Sequence, residues 1–417
     1  MKDETTQNAS ADCAAAKESK PNPSGTITID YDNLNMIPAL TWNHLKMNSA
    51  CLETEINAKI IRARDEKTLP DETNASGESK VIHTREAQSK LELMSGIGST
   101  VLSSRAAKGN DALITFFAAV VDNSEADDFP IDEFEILEGE KLNQPIFIRF
   151  EARSGESALA RYIVHAGKDS SATVIILCSS PETAGSDPSA DGFCACKTFL
   201  FAERNSRVHL IKVQLAGSRI TLLDETEILC DDNASVQLTQ IELGSFHSFQ
   251  HAEVKLLGDG SSFKSDTAYL LGKTQTLDMT HTVVQRGKNT DCRMNVSGVI
   301  SGRAEKTYRG TIDFVRGCRG SVGDEQEETL ILSDKAVNKS IPVILCGEAD
   351  ISGTHGSTIG RIGEDELFYM KSRGINEIEA AKMLARAKIA RAAKDIPDDS
   401  LREKITRKAE DAVSAQI

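Results

Sequence analysis

From about Ile136 to Ile359, β-branched apolar runs alternate with polar positions and short breaks, as in Ile146-Phe147-Ile148, Thr173-Val174-Ile175-Ile176-Leu177, Val208-His209-Leu210-Ile211-Lys212-Val213 and Ile220-Thr221-Leu222-Leu223. Such runs predict strands, and no helix-length segment interrupts them. Turn residues punctuate the region at Asn205, Asp232, Asp259, Gly287 and Gly317, at intervals of 27, 27, 28 and 30 residues. Near-constant spacing of this kind is what a solenoid needs, because each coil buries its apolar face only against the next. The pattern therefore predicts a mainly β chain with a parallel β-helix core over residues 135–360. A β-sandwich with evenly spaced strands is the alternative it leaves open.

After Gly363 the period changes to that of a helix. Glu364 to Arg373 opens with three acids, suited to a helix N-terminus, and ends at Gly374, which can take a left-handed cap. A second helix starts at Asn376 as N-cap and carries Ile378, Ala381, Leu384, Ala385 and Ile389 on one side. A third follows Pro397, with Ser400 and Glu403 as a capping box and Leu401, Ile405, Ala409 and Val413 four apart. Residues 361–417 thus form a C-terminal helical domain. Its apolar faces either cap the end of the β-domain or are offered to a partner. Ahead of the core, residues 1–25 read as a disordered tail. Residues 26–134 read as a small α-rich domain: a strand-like Thr26-Ile27-Thr28-Ile29, the Trp42 segment, a polar loop from Asp65 to Ser79, and helix-favouring stretches at Glu86–Met94 and Asp111–Val121.

Composition narrows the function classes. Of the 417 residues, 48 are Lys or Arg and 63 are Asp or Glu, and the net charge of -15 argues against a nucleic-acid backbone or an anionic membrane as partner. The longest apolar stretch, Ala112–Val121, is far short of the ~20 residues that a membrane span needs. The polar N-terminus lacks the apolar segment of a secretory signal, so a cytoplasmic protein is expected. Nine scattered cysteines, Cys13, Cys51, Cys178, Cys194, Cys196, Cys230, Cys292, Cys318 and Cys346, point to reduced thiols rather than a disulfide framework. No phosphate-binding glycine loop and no nucleophile elbow is present, and His44, His83, His165, His209, His247, His251 and His281 form no ligand pattern.

Gly287-Lys288-Asn289-Thr290, Ser301-Gly302-Arg303, Tyr308-Arg309-Gly310, and Ile362-Gly363-Glu364-Asp365-Glu366-Leu367-Phe368-Tyr369 leading to Arg373-Gly374-Ile375 occur in that order. In this order the strings resemble the shared core of SufB and SufD, paired scaffold subunits of SUF iron-sulfur cluster assembly. The resemblance is clear over roughly the last third of the chain, fainter through the middle and absent from the tail. It implies a right-handed parallel β-helix flanked by small α-helical N- and C-terminal domains. It also implies that the C-terminal helices dock the ATPase SufC, which assigns Glu364, Leu367, Phe368, Tyr369, Ile378 and Leu384 to partner binding.

Iron-sulfur clusters take thiolate ligands, with imidazole as an occasional replacement. By resemblance, Cys346 falls where SufB carries a cysteine needed for cluster building, and His355 falls where SufD carries a matching histidine. Both are expected to hold a transient cluster, none being tightly bound at rest, at the seam of a homodimer or of a heterodimer with a paralogue. The family also passes persulfide sulfur, from a donor such as a cysteine desulfurase, along the interior. The candidate acceptors are Cys194, Cys196 and Cys230, the first two on one face of a strand. Cys178, Cys292 and Cys318 read as structural. Two departures stand out. Thr354-His355-Gly356 replaces the Glu-His-Glu typical of SufB, and the cysteine-rich motif of many SufB N-termini is missing. The chain is expected to be a scaffold and not an enzyme. The competing classes are an exported β-helix carbohydrate-active enzyme, with paired carboxylates along its coils, and a β-solenoid that only mediates assembly.

Overall fold

The structure is a computed structural model, and it describes residues 26–35, 37, 47–48, 50–57, 60–63, 65–70, 81–84, 131–181 and 190–414. The expected tail, Trp42 and the helix-favouring stretches at 86–94 and 111–121 lie outside the described residues.

Two sheets of parallel strands face each other. Ser157–Ala166, Gly192–Ala202, Ile220–Cys230, His247–Leu256, Thr276–Gln285, Glu305–Phe314 and Val337–Cys346 stack in the first. Ile146–Glu151, Ser171–Ser179, Arg207–Leu215, Ser235–Glu242, Ser262–Leu271, Asp291–Ile300, Ser321–Ile331 and Ile351–Gly360 stack in the second. Successive strands alternate between the sheets, and neighbours within a sheet are one coil apart. Arg207 pairs with Ser235, Ser235 with Ser262, and Ser262 with Asp291. This is a parallel β-solenoid, and the parallel pairing excludes the sandwich alternative.

The punctuation seen in the sequence marks one column of turns. Asp169, Asn205, Asn233 and Asn289 have φ between 53° and 58°, and Gly260 and Gly320 have φ of 71° and 74°. Each donates its N–H to a carbonyl in the turn of the next coil, Asn205 to Asp232 at 2.9 Å, Asn289 to Arg319 at 2.8 Å and Gly320 to Asp350 at 2.7 Å among them. Asn and Asp tolerate the left-handed region that this turn requires, whereas other residues with a Cβ are strained there. A Cβ at Gly320 would also collide with the side-chain oxygen of Asn289 below it. Gly320→Ala is therefore expected to cost about 1–2 kcal/mol, read as a lower urea midpoint at unchanged m-value.

Alternate residues of both sheets fill the interior, where Val174, Ile176, Leu210, Leu222, Val236 and Leu238 share one apolar cluster. The outer face of the second sheet is apolar as well: Ile175, Leu177, Ile211, Val213, Ile241 and Leu270 belong to a second cluster. Strands buried on both faces read as continuous apolar runs, which explains Thr173 to Leu177. That face is covered by the C-terminal helices. These are α1 (Glu364–Ser372), α2 (Glu377–Ala393) and α3 (Asp399–Ser414). Ala385 and Ile389 of α2 and Leu401, Ile405, Ala409 and Val413 of α3 are buried in the second cluster. The helices thus lie along the flank of the solenoid, against Ser235–Glu242, Ser262–Leu271 and Asp291–Ile300, rather than capping its end. Asn376 caps α2 as expected, its Oδ1 accepting from the Glu379 N–H at 2.9 Å. At α3 the cap is Asp398, which accepts from the Leu401 N–H at 2.8 Å, and Ser400 falls inside the helix.

Within residues 26–134 every described element is a strand, and the helix-favouring stretches of the expected α-rich domain lie outside the described residues. The Thr26 run extends to Leu34 and pairs antiparallel with Ala50–Asn57, and Asp65–Thr68 is a short strand within the expected polar loop. This N-terminal part is tied to the first sheet: Asn35 Nδ2 donates to Asp278 Oδ1 at 2.7 Å and Arg309 Nε donates to the Met47 carbonyl at 2.7 Å. The two ends of the solenoid differ. At the start, Val81–Thr84 and Asp65–Thr68 close the two sheets with short antiparallel pairs. At the finish, Val337–Cys346 and Ile351–Gly360 are the outermost strands, each paired on one side only among the described residues. Among those residues no helix is long and apolar enough to cross a membrane.

Candidate functional site

The register places both cluster-ligand candidates at the open end. Ile312 and Phe314 point into the interior cluster and pair with Ile344 and Cys346 of the last coil. Cys346 therefore continues an inward column that runs Cys230, Leu256, Gln285, Phe314, Cys346. In the other sheet His355 pairs with Glu325 and Ser357 with Glu327. Both candidates hold inward positions on a coil with no successor among the described residues, and both are exposed.

One chain does not bring them together. A Cβ at Gly353 would lie 3.3 Å from Ile344 Cγ2, so those positions face each other across the interior and His355 faces Pro342. Cys346 lies four residues farther along its strand, about 13 Å away at strand rise. Among the described residues no group of three or more His, Cys, Asp and Glu side chains is placed to hold a metal ion.

Beneath the open end lies a buried polar layer that no sequence motif marks. Lys306 forms an ion pair with Glu327, whose carboxylate also accepts from Ser340 and, at 3.1 Å, from Ser357. Glu325, directly under His355, is pushed up to about 8 by burial, against the pull of the Tyr308 hydroxyl and Lys306. Burial lowers the Lys306 pKa, with Glu327 opposing. Val322 to Glu328 reads as a solvated acidic run. The available signal was strand alternation, which sends 325 and 327 inward and 324, 326 and 328 outward.

The sulfur-acceptor candidates are all interior. Cys194 and Cys196 share the inward face of one strand, as their spacing implied, and Cys230 heads the column that ends at Cys346. Burial pushes the Cys230 thiol up to about 12 and raises those of Cys196 and Cys292. Cys178, read as structural, lies in the same interior cluster on a strand of the opposite sheet, and the nearby Cys194 thiol and burial together raise its pKa.

The partner-binding candidates divide. Helix α1 buries no residue, and Phe368 and Tyr369 are 75% and 60% exposed, the Tyr369 ring carrying the Arg373 guanidinium 5.3 Å from its centroid. Glu364 and Ile378 are exposed as well, and Leu367 is half-buried. Leu384 instead packs against the helix-covered cluster of the second sheet, a role in the fold.

A family model described as the SUF system FeS cluster assembly SufBD core domain matches residues 148–388. The chain belongs to the SufBD family. The match runs from the first full strand of the second sheet through most of α2, so the SufBD core comprises the solenoid with its flanking helix. Among curated relatives, an iron-sulfur cluster assembly SufBD family protein of Staphylococcus saprophyticus is 22% identical over 258 residues, 62% of this chain and 54% of the relative. The iron-sulfur cluster assembly protein SufB of Bacillus subtilis is 27% identical over 169 residues, 40% of this chain and 36% of that protein. A SufBD family protein of Synechocystis is 28% identical over 152 residues, 36% and 32% of the two chains. The chain spans about half the length of the first of these relatives. The family ties this SufBD core to iron-sulfur cluster assembly.

Proposed function

We propose that the protein is a cytoplasmic scaffold subunit on which an iron-sulfur cluster is assembled, with no catalytic site of its own. The observation that carries this reading is the open end of the solenoid. A thiol and an imidazole stand exposed there at inward positions, on two strands whose outer edges are unpaired among the described residues. Thiolate and imidazole suit iron in a cluster, and the cluster is cargo rather than a resident cofactor. Because the two side chains are far apart within one chain, a second copy or a paralogue joined at this end would bring Cys346 of one subunit toward His355 of the other. Ten-residue unpaired edges favour such a joint. A SufC-like ATPase would take the exposed Phe368 and Tyr369 of α1, and its nucleotide cycle would open the joint to iron and sulfide. Sulfur from a persulfide donor such as a cysteine desulfurase would travel inside the solenoid past Cys194, Cys196 and Cys230. The net charge of -15 supports protein partners over nucleic acid or an anionic membrane.

The test is anaerobic reconstitution with iron and sulfide, with and without a co-expressed SufC-like ATPase, followed by visible absorption and bound iron. Wild type is expected to gain a cluster that Cys346→Ala and His355→Ala both lose. Equal cluster content in all three would remove these residues from the site while leaving ATPase binding to be judged by co-purification.

A further inference from the structure

Three thiols away from the open end meet early in the solenoid. Cys194 and Cys196 point inward from Gly192–Ala202, and Cys178 points inward from the facing strand Ser171–Ser179, all within the interior cluster. Both thiols lie in one interior cluster on strands of opposite sheets, and Cys194 is the group that acts most strongly on the Cys178 thiol. Cys178, Lys212, Gln214, Asp224 and Glu242 line a cavity with room for about one water-sized guest. Gln214 is 3% exposed, and neither the oxygen nor the nitrogen of its side-chain amide has a partner among the described residues. Leaving such an amide unpaired is costly, so the cavity suits a small polar guest. Lys212 supplies a positive charge there, held by Asp224 and by Thr226 Oγ1 at 2.8 Å and Thr198 Oγ1 at 3.2 Å.

We propose that Cys178 and Cys194 act as a dithiol: a persulfide carried on Cys194 is resolved by Cys178, releasing sulfide into the Lys212 cavity and leaving a Cys178–Cys194 disulfide. This rests on the reading of the interior thiols as sulfur carriers and adds a reduction that reading lacks, since sulfane sulfur must gain two electrons to become sulfide. Cys178 Sγ attacks Cys194 Sγ, the bond between the two cysteines forms, and the bond from Cys194 to its outer sulfur breaks. The Cys178 proton leaves with that sulfur as hydrogen sulfide, and the two electrons come from the cysteine sulfurs that become the disulfide. A small dithiol reductant returns the pair to its starting state. The neighbouring Cys194 thiol, and after it burial, raise the Cys178 thiol, which couples the attack to proton transfer onto the departing sulfur. Cys196, two residues along the same strand, has its sulfur 3.9 Å from Thr198 Oγ1.

The full-length protein, purified anaerobically, is treated with inorganic polysulfide. Free sulfide is then measured and the cysteine peptides are read by mass spectrometry. Wild type is expected to release one sulfide for each Cys178–Cys194 disulfide formed. Cys178→Ser is expected to keep cyanide-labile sulfur on Cys194 and to release at least about tenfold less sulfide, while Cys51→Ser, which removes an exposed thiol of the N-terminal strand pair, behaves as wild type. Equal release from wild type and Cys178→Ser overturns the proposal, as does a wild type whose Cys194 takes up no sulfur. Should Cys178→Ser fail to fold, the disulfide in wild type decides alone. Reconstitution from ready-made sulfide bypasses Cys178, so a chain that fails there yet forms the disulfide would sink the scaffold reading and spare the dithiol.

Discussion

Exchanging Lys306 for methionine is expected to lower the free energy of unfolding by about 3–5 kcal/mol. Its side chain is 0% exposed, and its ammonium pairs with Glu327 while lying 5.3 Å and 5.8 Å from the ring centroids of Tyr308 and Tyr269. Without it, the Glu327 carboxylate stays buried with hydroxyl partners alone, Ser340, Ser357 and Thr329. An unpaired buried charge is far more costly than the pair is stabilising. Lys306→Met combined with Glu327→Gln should therefore recover most of the loss. Urea unfolding of wild type, both single variants and the double at pH 7 completes the cycle. A single-variant loss below ~1 kcal/mol would show that solvent reaches the layer.

Glu325→Gln is expected to change how stability depends on pH. The folded carboxyl titrates near pH 8 against an ordinary value of 4.5. Between those values the native state holds a proton that the unfolded chain has lost, so stability is full below about pH 4.5 and falls as pH rises through 8. Each pH step of one across that window removes ~1.4 kcal/mol from wild type. The amide variant, which cannot ionise, should therefore be more stable than wild type by on the order of 3–5 kcal/mol at pH 8.5 and nearly equal to it at pH 5. Urea midpoints at the two pH values decide this. Parallel pH profiles for variant and wild type would mean that Glu325 is ionised in the fold. The residue is in register with His355, so a neutral acid sits under that imidazole at neutral pH.

The solenoid was legible because its turns recur: the residues at 205, 232, 259, 287 and 317 lie within three positions of the left-handed residues that stack one coil on the next. The helical stripes at the C-terminus were legible too, but an amphipathic stripe names no recipient, and it settled on the sheet flank instead of the end. Ala50–Asn57 was missed because Glu, Ala and Asn favour no strand by themselves, and its state is decided by antiparallel pairing with Thr26–Leu34. At the site, the sequence could place Cys346 and His355 near each other but not show that four residues of strand separate them. Cys178 was passed over because it neighbours Cys194 from the opposite sheet, a proximity that no periodicity within a strand records.

The unlike ends of the solenoid bear on stoichiometry. Stacked ladders with two sticky ends propagate into fibres, whereas among the described residues this chain has ten-residue edge strands at one end and four-residue antiparallel strands at the other. Two copies meeting through their long ends use the same surface on each and close about a two-fold axis. What such a pair would present outward is the end with the short four-residue edge strands, at both extremities. Growth would then stop at two, and a pair of this kind would keep a reactive strand edge without the hazard of polymerisation.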